Sequence, residues 1–244
     1  VVNLSLLNTN WYIKQLRDRE PKVDIQYSDA FIDSSLTDTS LVKQQIRYWP
    51  EPKEITAAGL KWKVAPAAGY NVLRIQDVMM IKIIDWNQWR RPIHIAITVP
   101  EDNQVSVGPY LQLTGMTYRL TREIDPDADV ASLERNLHEV FQFRGINDPD
   151  VYLDEQSRRL LTNYRAGLLQ LAESYVEDQR ADDVVNLLAW GEKTIQYTWD
   201  TYYLGAEILG KVGLPPEAAV FMGKAGMLLS DGRKSLADAA YYNL

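Results

Sequence analysis

The pattern of apolar and polar positions changes twice along the chain. Residues 1–17 (VVNLSLLNTNWYIKQLR) open with an apolar run, Val1, Val2, Leu4, Leu6 and Leu7, rich enough for a buried strand and too short to cross a bilayer. After Asn8-Thr9-Asn10, the apolar residues Trp11, Ile13 and Leu16 recur at roughly helical spacing. The pattern predicts strand, polar turn and helix, the opening unit of a mostly parallel α/β sheet with flanking helices. The turn residues are placed to cap the helix. Ligands of open α/β sheets gather at such turns, which makes Asn8, Thr9, Asn10 and Trp11 candidate ligand-binding residues. The chain starts inside the expected strand and without Met, so a longer parent is expected.

Further along, 17–22 (RDREPK) reads as a charged turn, 23–27 (VDIQY) as a half-buried strand, 28–40 as a loop, 41–49 as a short strand or helix, and 60–66 (LKWKVAP) as a strand. Residues 72–87 predict the strongest helix of this half, starting near Gln76-Asp77, with Met79, Met80, Ile83 and Ile84 on one face. The β-branched run 93–99 (IHIAITV) predicts the central strand, pairing in parallel with residues 1–7. Residues 110–120 are ambiguous because Gly115 weakens a helix; 118–124 alternate like a strand; and 132–141 predict a helix with Ser132 as its cap.

From Glu155 onward the period is helical almost throughout, and it recurs. Ala172 and Ala206, Tyr175 and Leu209, Val184 and Ala218, Leu188 and Met222, and Gly191 and Ala225 each lie 34 residues apart, which is the tetratricopeptide period. Two helix–turn–helix units are expected, with turns at 177–182 and 210–216; a generic antiparallel bundle is the rival reading. The predicted organisation is an α/β domain over 1–125, a helical connector over 126–158, and an all-α tetratricopeptide-like tail over 159–244.

Composition narrows the function classes. With 46% hydrophobic and 24% charged residues, the chain should pack a core. A net charge of −7 argues against a nucleic-acid partner. With no cysteine, thiolate catalysis and cysteine-based zinc sites are excluded for these residues.

Candidate chemistry is sparse. His94 sits in an apolar strand, where a hydrogen-bonded structural role is expected, and His138 is expected at a helix surface. Neither has a second histidine at metal-binding spacing, and no phosphate-cradling, dinucleotide or serine-hydrolase motif is present. The acidic pairs Asp29/Asp33 and Asp77/Asp85 are read as solvated or capping groups, so no catalytic residue is assigned. Arg90 and Arg91, beside Trp86 and Trp89 in WNQWRRP, remain ligand-binding candidates, since guanidinium forks clamp phosphates and carboxylates and indoles stack on sugars. The same residues could instead anchor a helix end. The other aromatic residues would suit carbohydrate or peptide contact, or core. No metal or cofactor is expected.

The phrases VVNLSLLNTNWYIKQLR, WRRPIHIAITV and PYLQLTGMTYRL, followed by helical repeats, resemble the C-terminal soluble region of a bacterial family of multi-pass membrane proteins of unknown function, common in Bacteroidetes-like bacteria. The membrane part of that family is similar to GT-C glycosyltransferases of the protein O-mannosyltransferase type. The resemblance spans most of residues 1–120; the tail matches only in kind. It implies a membrane-embedded transferase using a lipid-linked sugar, with this chain on the periplasmic side of the inner membrane. The catalytic acid would belong to the membrane part, so no catalytic residue carries over. The family's Asn-Trp-Lys-Arg-Pro-like phrase corresponds to Asn87 through Pro92, with Gln-Trp inserted and Arg in place of Lys. The expected function is therefore that of a non-catalytic accessory domain positioning acceptor protein or glycan. The alternatives are a protein-binding scaffold built on the repeats and a free-standing enzyme in which the Asn8–Trp11 turn and Arg90/Arg91 converge on one pocket.

Overall fold

The computed structural model describes residues 1–36, 47–67, 71–148 and 150–242. The chain divides into two compact units, Val1–Gln112 with Tyr118–Pro126, and Leu113–Thr117 with Asp127–Leu244.

The first unit is mixed α/β. A 3-10 turn, Leu6–Asn8, leads into α1 (Asn10–Asp18). A short turn of helix, α2 (Asp29–Phe31), runs on into a wider π turn, Ile32–Leu36. The hairpin β1 (Lys53–Ala57) and β2 (Leu60–Val64) precedes the central helix α3 (Ile75–Asn87). The short strands β3 (His94–Ala96), β4 (Leu111–Leu113) and β5 (Thr117–Leu120) form a second small sheet in the order β3-β5-β4. Both sheets are small and antiparallel, and β1 pairs with β2 from Lys53 opposite Val64 to Ala57 opposite Leu60.

The expected parallel sheet is thus corrected, and its two intended central strands show why. Residues 1–7 are not a strand, because local acceptors take their amides. Leu6 N donates to the Asn3 side chain (3.1 Å), Leu7 N donates to Asn3 O (3.1 Å), and Asn3 N donates to the Tyr12 hydroxyl (2.9 Å). An Asx-type turn competes with a ladder for the same donors, and here the turn wins while Leu7 is still fully buried. The run 93–99 yields only the three residues of β3, since Val99 N turns back onto Ala96 O (2.9 Å). Its His94 and Ala96 are exposed and only Ile95 is buried between them. Residues 23–27 form no strand either: Arg17 Nη1 takes the Tyr27 carbonyl at 2.8 Å and Val23 N donates to Leu16 O at 2.8 Å. Of the segment 41–49, residues 41–46 lie outside the described residues, as do 37–40 of the expected loop.

The helix expected at 72–87 forms, and it organises this unit. Every residue from Ile75 to Met80 is buried, so its first turns are surrounded by core rather than presenting one stripe. Leu7, Ile13, Leu36, Trp62, Val64 and Ile95 are buried in the same core.

In the second unit α4 (Val130–Arg135) widens into a π turn, Asn136–Val140. Its cap is Asp129, which accepts from Ser132 N at 3.0 Å, in place of the expected Ser132. Four helices follow: α5 (Glu155–Glu177), α6 (Ala181–Thr194), α7 (Trp199–Lys211) and α8 (Pro215–Tyr242). Helices α5 and α7 end 34 residues apart and α6 and α8 start 34 residues apart. The turns between them repeat in backbone detail. Arg180 N donates to Tyr175 O (2.8 Å) and Leu214 N to Leu209 O (3.0 Å), while Gln179 and Gly213 both take positive φ, 59° and 77°. The pairs Ala172/Ala206, Leu187/Phe221 and Gly191/Ala225 are buried at the same spacing. Gly191 permits close packing: a Cβ there would lie 2.2 Å from the Tyr197 hydroxyl and 2.3 Å from Leu168 Cδ1.

Candidate functional site

The candidate residues of the first turn are tied to the N-terminal end of α3. Asn8 Nδ2 donates to Gln76 Oε1 (2.8 Å) and to Ser5 O (3.2 Å), while Asn8 Oδ1 accepts from Gln76 N (3.1 Å). Asn8 therefore caps α3, a helix distant in sequence, rather than α1. Thr9 Oγ1 donates back to Leu6 O (2.7 Å) and makes no cap to α1. Asn10 Nδ2 donates to Asp33 Oδ1 (3.0 Å), and Asp33 Oδ2 also accepts from Lys14 Nζ (2.7 Å). Those two donors hold the Asp33 carboxyl below the usual carboxylate range, Lys14 foremost. Trp11 stands with its ring half exposed and its edge against Tyr12.

The same end of α3 carries a polar cluster that the sequence signalled only through Gln76-Asp77. Asp77 is 3% exposed and accepts from Arg74 N (2.8 Å) and from the Arg74 guanidinium at Nε (2.9 Å) and Nη2 (2.8 Å). Arg74 extends the cluster to Asn103 Oδ1 (2.5 Å) and Asp102 O (2.9 Å). Forked guanidinium–carboxylate bonds are among the strongest a side chain makes, and here they clamp the 101–105 loop to the helix start.

Arg90 and Arg91 lie at the other end of α3. Arg90 pairs with Asp24 and donates to Trp86 O (2.5 Å) and Asn87 O (3.2 Å). Arg91 Nη2 donates to Lys22 O (2.7 Å). The 13 residues of α3 rise about 20 Å, so the Asn8 turn and the arginine pair do not converge on one pocket. WNQWRRP instead anchors the helix end. Trp89 donates its indole N–H to Ala58 O (2.7 Å), and Asp85 accepts from Ala58 N (3.1 Å), so this end of α3 holds the β1–β2 turn. Ala58 and Gly59 both take positive φ there, as a two-residue hairpin turn requires.

The other aromatic residues divide the same way. Trp49 and Trp62 donate indole N–H bonds to Val64 O and Val105 O, both 2.8 Å, and Tyr110 donates to Lys61 O (2.8 Å). Trp86 sits edge-on to Tyr27, and Trp190 packs against His138 and Phe143. Only Trp11 and Trp199 of the seven tryptophans are exposed. His94 is exposed on β3, and what burial its ring has, with Arg119 nearby, lowers its pKa. His138 is exposed, as expected.

The second unit offers two surface features. A cleft of about 280 Å³ is lined by Ile146, Asn147, Asp148, Val151, Leu153, Arg158 and Gln196. Asn147 also donates to Glu192 O and Lys193 O at the end of α6 (3.1 and 3.0 Å). The broader feature is the outer face of α5 and α7, joined by Lys211 Nζ on Glu173 (2.7 and 2.9 Å). Trp199, Tyr203 and Leu204 are exposed on α7, and Glu207 and Asp200 stand beside them. Exposed aromatic and aliphatic groups ringed by carboxylates can hold an apolar segment carrying positive charge. Helical spacing alone does not separate these exposed residues from core, because buried and exposed apolar positions of α7 alternate within one turn.

Among the described residues no group of three His, Asp or Glu side chains could hold a metal ion, and no helix is long and apolar enough to cross a membrane. No curated protein and no solved structure matches the chain. Residues 36–134, which take in β1 to β5 and α3 but neither the Asn8–Trp11 turn nor α5–α8, match the family model of TMEM260-associated domain 2, an uncharacterised family.

Proposed function

We propose that this chain is a non-catalytic accessory part of a membrane glycosyltransferase-like protein, on the periplasmic side of the inner membrane, where it positions acceptor protein or glycan. The observation that carries the reading is the 34-residue recurrence of α5–α8 in helix ends, turn hydrogen bonds and buried positions. It supports a tetratricopeptide-like array, a form that presents extended surfaces to partners. Its α5–α7 face, with Trp199, Tyr203 and Leu204 exposed, has the chemistry of a docking surface. The match to a domain described as TMEM260-associated, together with the resemblance of residues 1–120 to the soluble part of membrane glycosyltransferase-like proteins, supports the setting. In the first unit the candidate side chains are engaged in holding α1, α3 and the hairpin together, which favours a supporting frame over a catalytic centre.

Two measurements test this. The purified chain, given a lipid-linked sugar and a peptide acceptor, is expected to transfer nothing; transfer or hydrolysis of the sugar by this chain overturns the reading. A photo-cross-linking residue at Tyr203 in cells is expected to capture a glycosylated protein, whereas the same group at Arg91 captures none. Equal capture at both positions counts against the α5–α7 face.

A further inference from the structure

The cleft of the second unit is lined by groups that the fold itself holds in place. Gly145 turns at a φ of 71° and Val151 closes on that turn: a Cβ on Gly145 would lie 3.2 Å from Val151 Cγ2, and Val151 N donates to Asp148 O (3.1 Å). Asn147 gives both hydrogens of its Nδ2 to Glu192 O and Lys193 O, which ties the loop to α6 and leaves Oδ1 as an acceptor. From α5 comes Arg158, whose Nε donates to Leu153 O (3.0 Å). That bond fixes the guanidinium plane and leaves the Nη1–Nη2 edge as a fork. Gln196 lies between buried Ile195 and Tyr197, and buried Arg165 donates to its carbonyl at 2.8 Å, so its exposed side chain rises from a fixed backbone.

Opposite charges line this cleft without pairing. Among the described residues neither Arg158 nor Asp148 has an ion-pair partner, although the neighbouring Arg159 pairs with Glu155 at 2.6 Å. Asp148 Oδ1 accepts from Asp150 N (3.0 Å), and Oδ2 accepts from nothing among those residues. A neutral polyol would leave both charges unmatched, and a simple anion suited to Arg158 would meet the Asp148 carboxylate. A molecule carrying both an ammonium and a carboxylate matches both. Forked guanidinium donors suit the carboxylate, and Asp148 Oδ2 with Asn147 Oδ1 offers two acceptors to the ammonium. Ile146, Val151 and Leu153 supply the apolar part of the lining. The volume, about 280 Å³, lies just under the usual range of about 300–1,000 Å³ for small-ligand sites, which restricts the occupant to one amino acid. We infer that this cleft binds a single aliphatic α-amino acid as its zwitterion, the carboxylate on Arg158, the ammonium on Asn147 and Asp148, and the side chain against Ile146, Val151 and Leu153. The inference does not rest on a docking role for the α5–α7 face.

Isothermal titration calorimetry of the full chain with L-leucine tests it. Saturable binding is expected. The analogue 4-methylpentanoate, which lacks the ammonium, and 3-methylbutylamine, which lacks the carboxylate, should each bind about tenfold more weakly or worse. Asp148→Asn keeps the acceptor for Asp150 N and removes the charge, and Arg158→Gln removes the fork. Each should weaken L-leucine about tenfold, while Arg159→Gln, outside the cleft lining, leaves the affinity at the parent value. No saturation by L-leucine up to about 10 mM overturns the inference. Binding of 4-methylpentanoate as tight as that of L-leucine overturns it in favour of a simple anion site. Saturable binding of glucose in place of L-leucine overturns it in favour of a polyol site. The analogue comparison uses the unsubstituted chain, so a variant that fails to fold does not shelter the inference.

Discussion

Asn8 and Gln76 stand 68 residues apart and hold each other through two hydrogen bonds, Asn8 Nδ2 to Gln76 Oε1 at 2.8 Å and Gln76 N to Asn8 Oδ1 at 3.1 Å. The first covers a side chain that is only 7% exposed; the second satisfies an amide at the start of α3. A side chain that the sequence offers as a ligand contact thus fixes the start of the central helix.

Asn8→Ala should therefore cost stability before anything else. Loss of both bonds leaves a buried amide side chain and a helix-start N–H without their partner, worth about 1 to 3 kcal/mol. Urea denaturation of the full chain checks this. Asn8→Asp, which keeps the acceptor for Gln76 N and loses the donor to Oε1, should lie between Ala and the parent sequence.

The aromatic pins make a second prediction. Trp62 is 5% exposed and its indole N–H is held by Val105 O at 2.8 Å, within a segment where Val105 itself takes positive φ. Trp62→Phe keeps most of the apolar surface but leaves that carbonyl unpaired, for a loss of about 1 to 3 kcal/mol. Trp11→Phe, at an exposed ring, should shift the unfolding midpoint little. Equal effects would mean that the indole bond contributes nothing.

How much of this was legible in the sequence follows from which acceptors compete for the backbone. Helix α3 was readable because its apolar residues, its Asp77 cap and its starting point agree with one another. The hairpin strand at Leu60–Val64 was readable because its alternation survives as burial of Leu60, Trp62 and Val64. The run at residues 1–7 misled because apolar composition says nothing of amide partners, and Asn3 claims those amides locally. Arg90 and Arg91 look like a ligand clamp in one dimension; Asp24 and the Lys22 carbonyl, more than sixty residues upstream, are what they meet. Residue spacing exposed the recurrence of α5–α8, since helix ends and small buried residues keep a fixed period, but not which face would stay open.

Glycine substitutions should separate packed from exposed positions on α6 and α8. Gly191→Ala drives a methyl into the Tyr197 hydroxyl and Leu168, and overpacking of this kind costs about 1 to 3 kcal/mol. Gly223→Ala, on the open side of α8 with nothing within 4 Å, should stabilise by about 0.5 to 1 kcal/mol through helix propensity. Thermal melts of the two variants should move in opposite directions.

Acid should loosen α6 from α7 and α8. Burial raises the Glu192 pKa, but Lys224 and the Tyr202 hydroxyl (2.8 Å) more than offset it, so the carboxyl titrates below its ordinary value of 4.5. A folded-state pKa lowered in this way contributes stability that is present above 4.5 and is lost as pH falls through the folded value. Glu192→Gln should flatten the acid limb of the stability profile below about pH 4.5 and leave the slope near neutrality unchanged. An unchanged acid limb would remove Glu192 from that role.

The most direct measurement of the proposed positioning role is acceptor kinetics in the membrane glycosyltransferase-like protein proposed above, with Tyr203→Glu and Leu204→Glu on the α7 face. The account predicts that KM for a folded protein acceptor rises about tenfold, corresponding to about 1.4 kcal/mol of lost docking, while turnover on a short free acceptor stays at the parent value. A fall in kcat that is the same for both acceptors would place the chain in the chemistry and contradict the account.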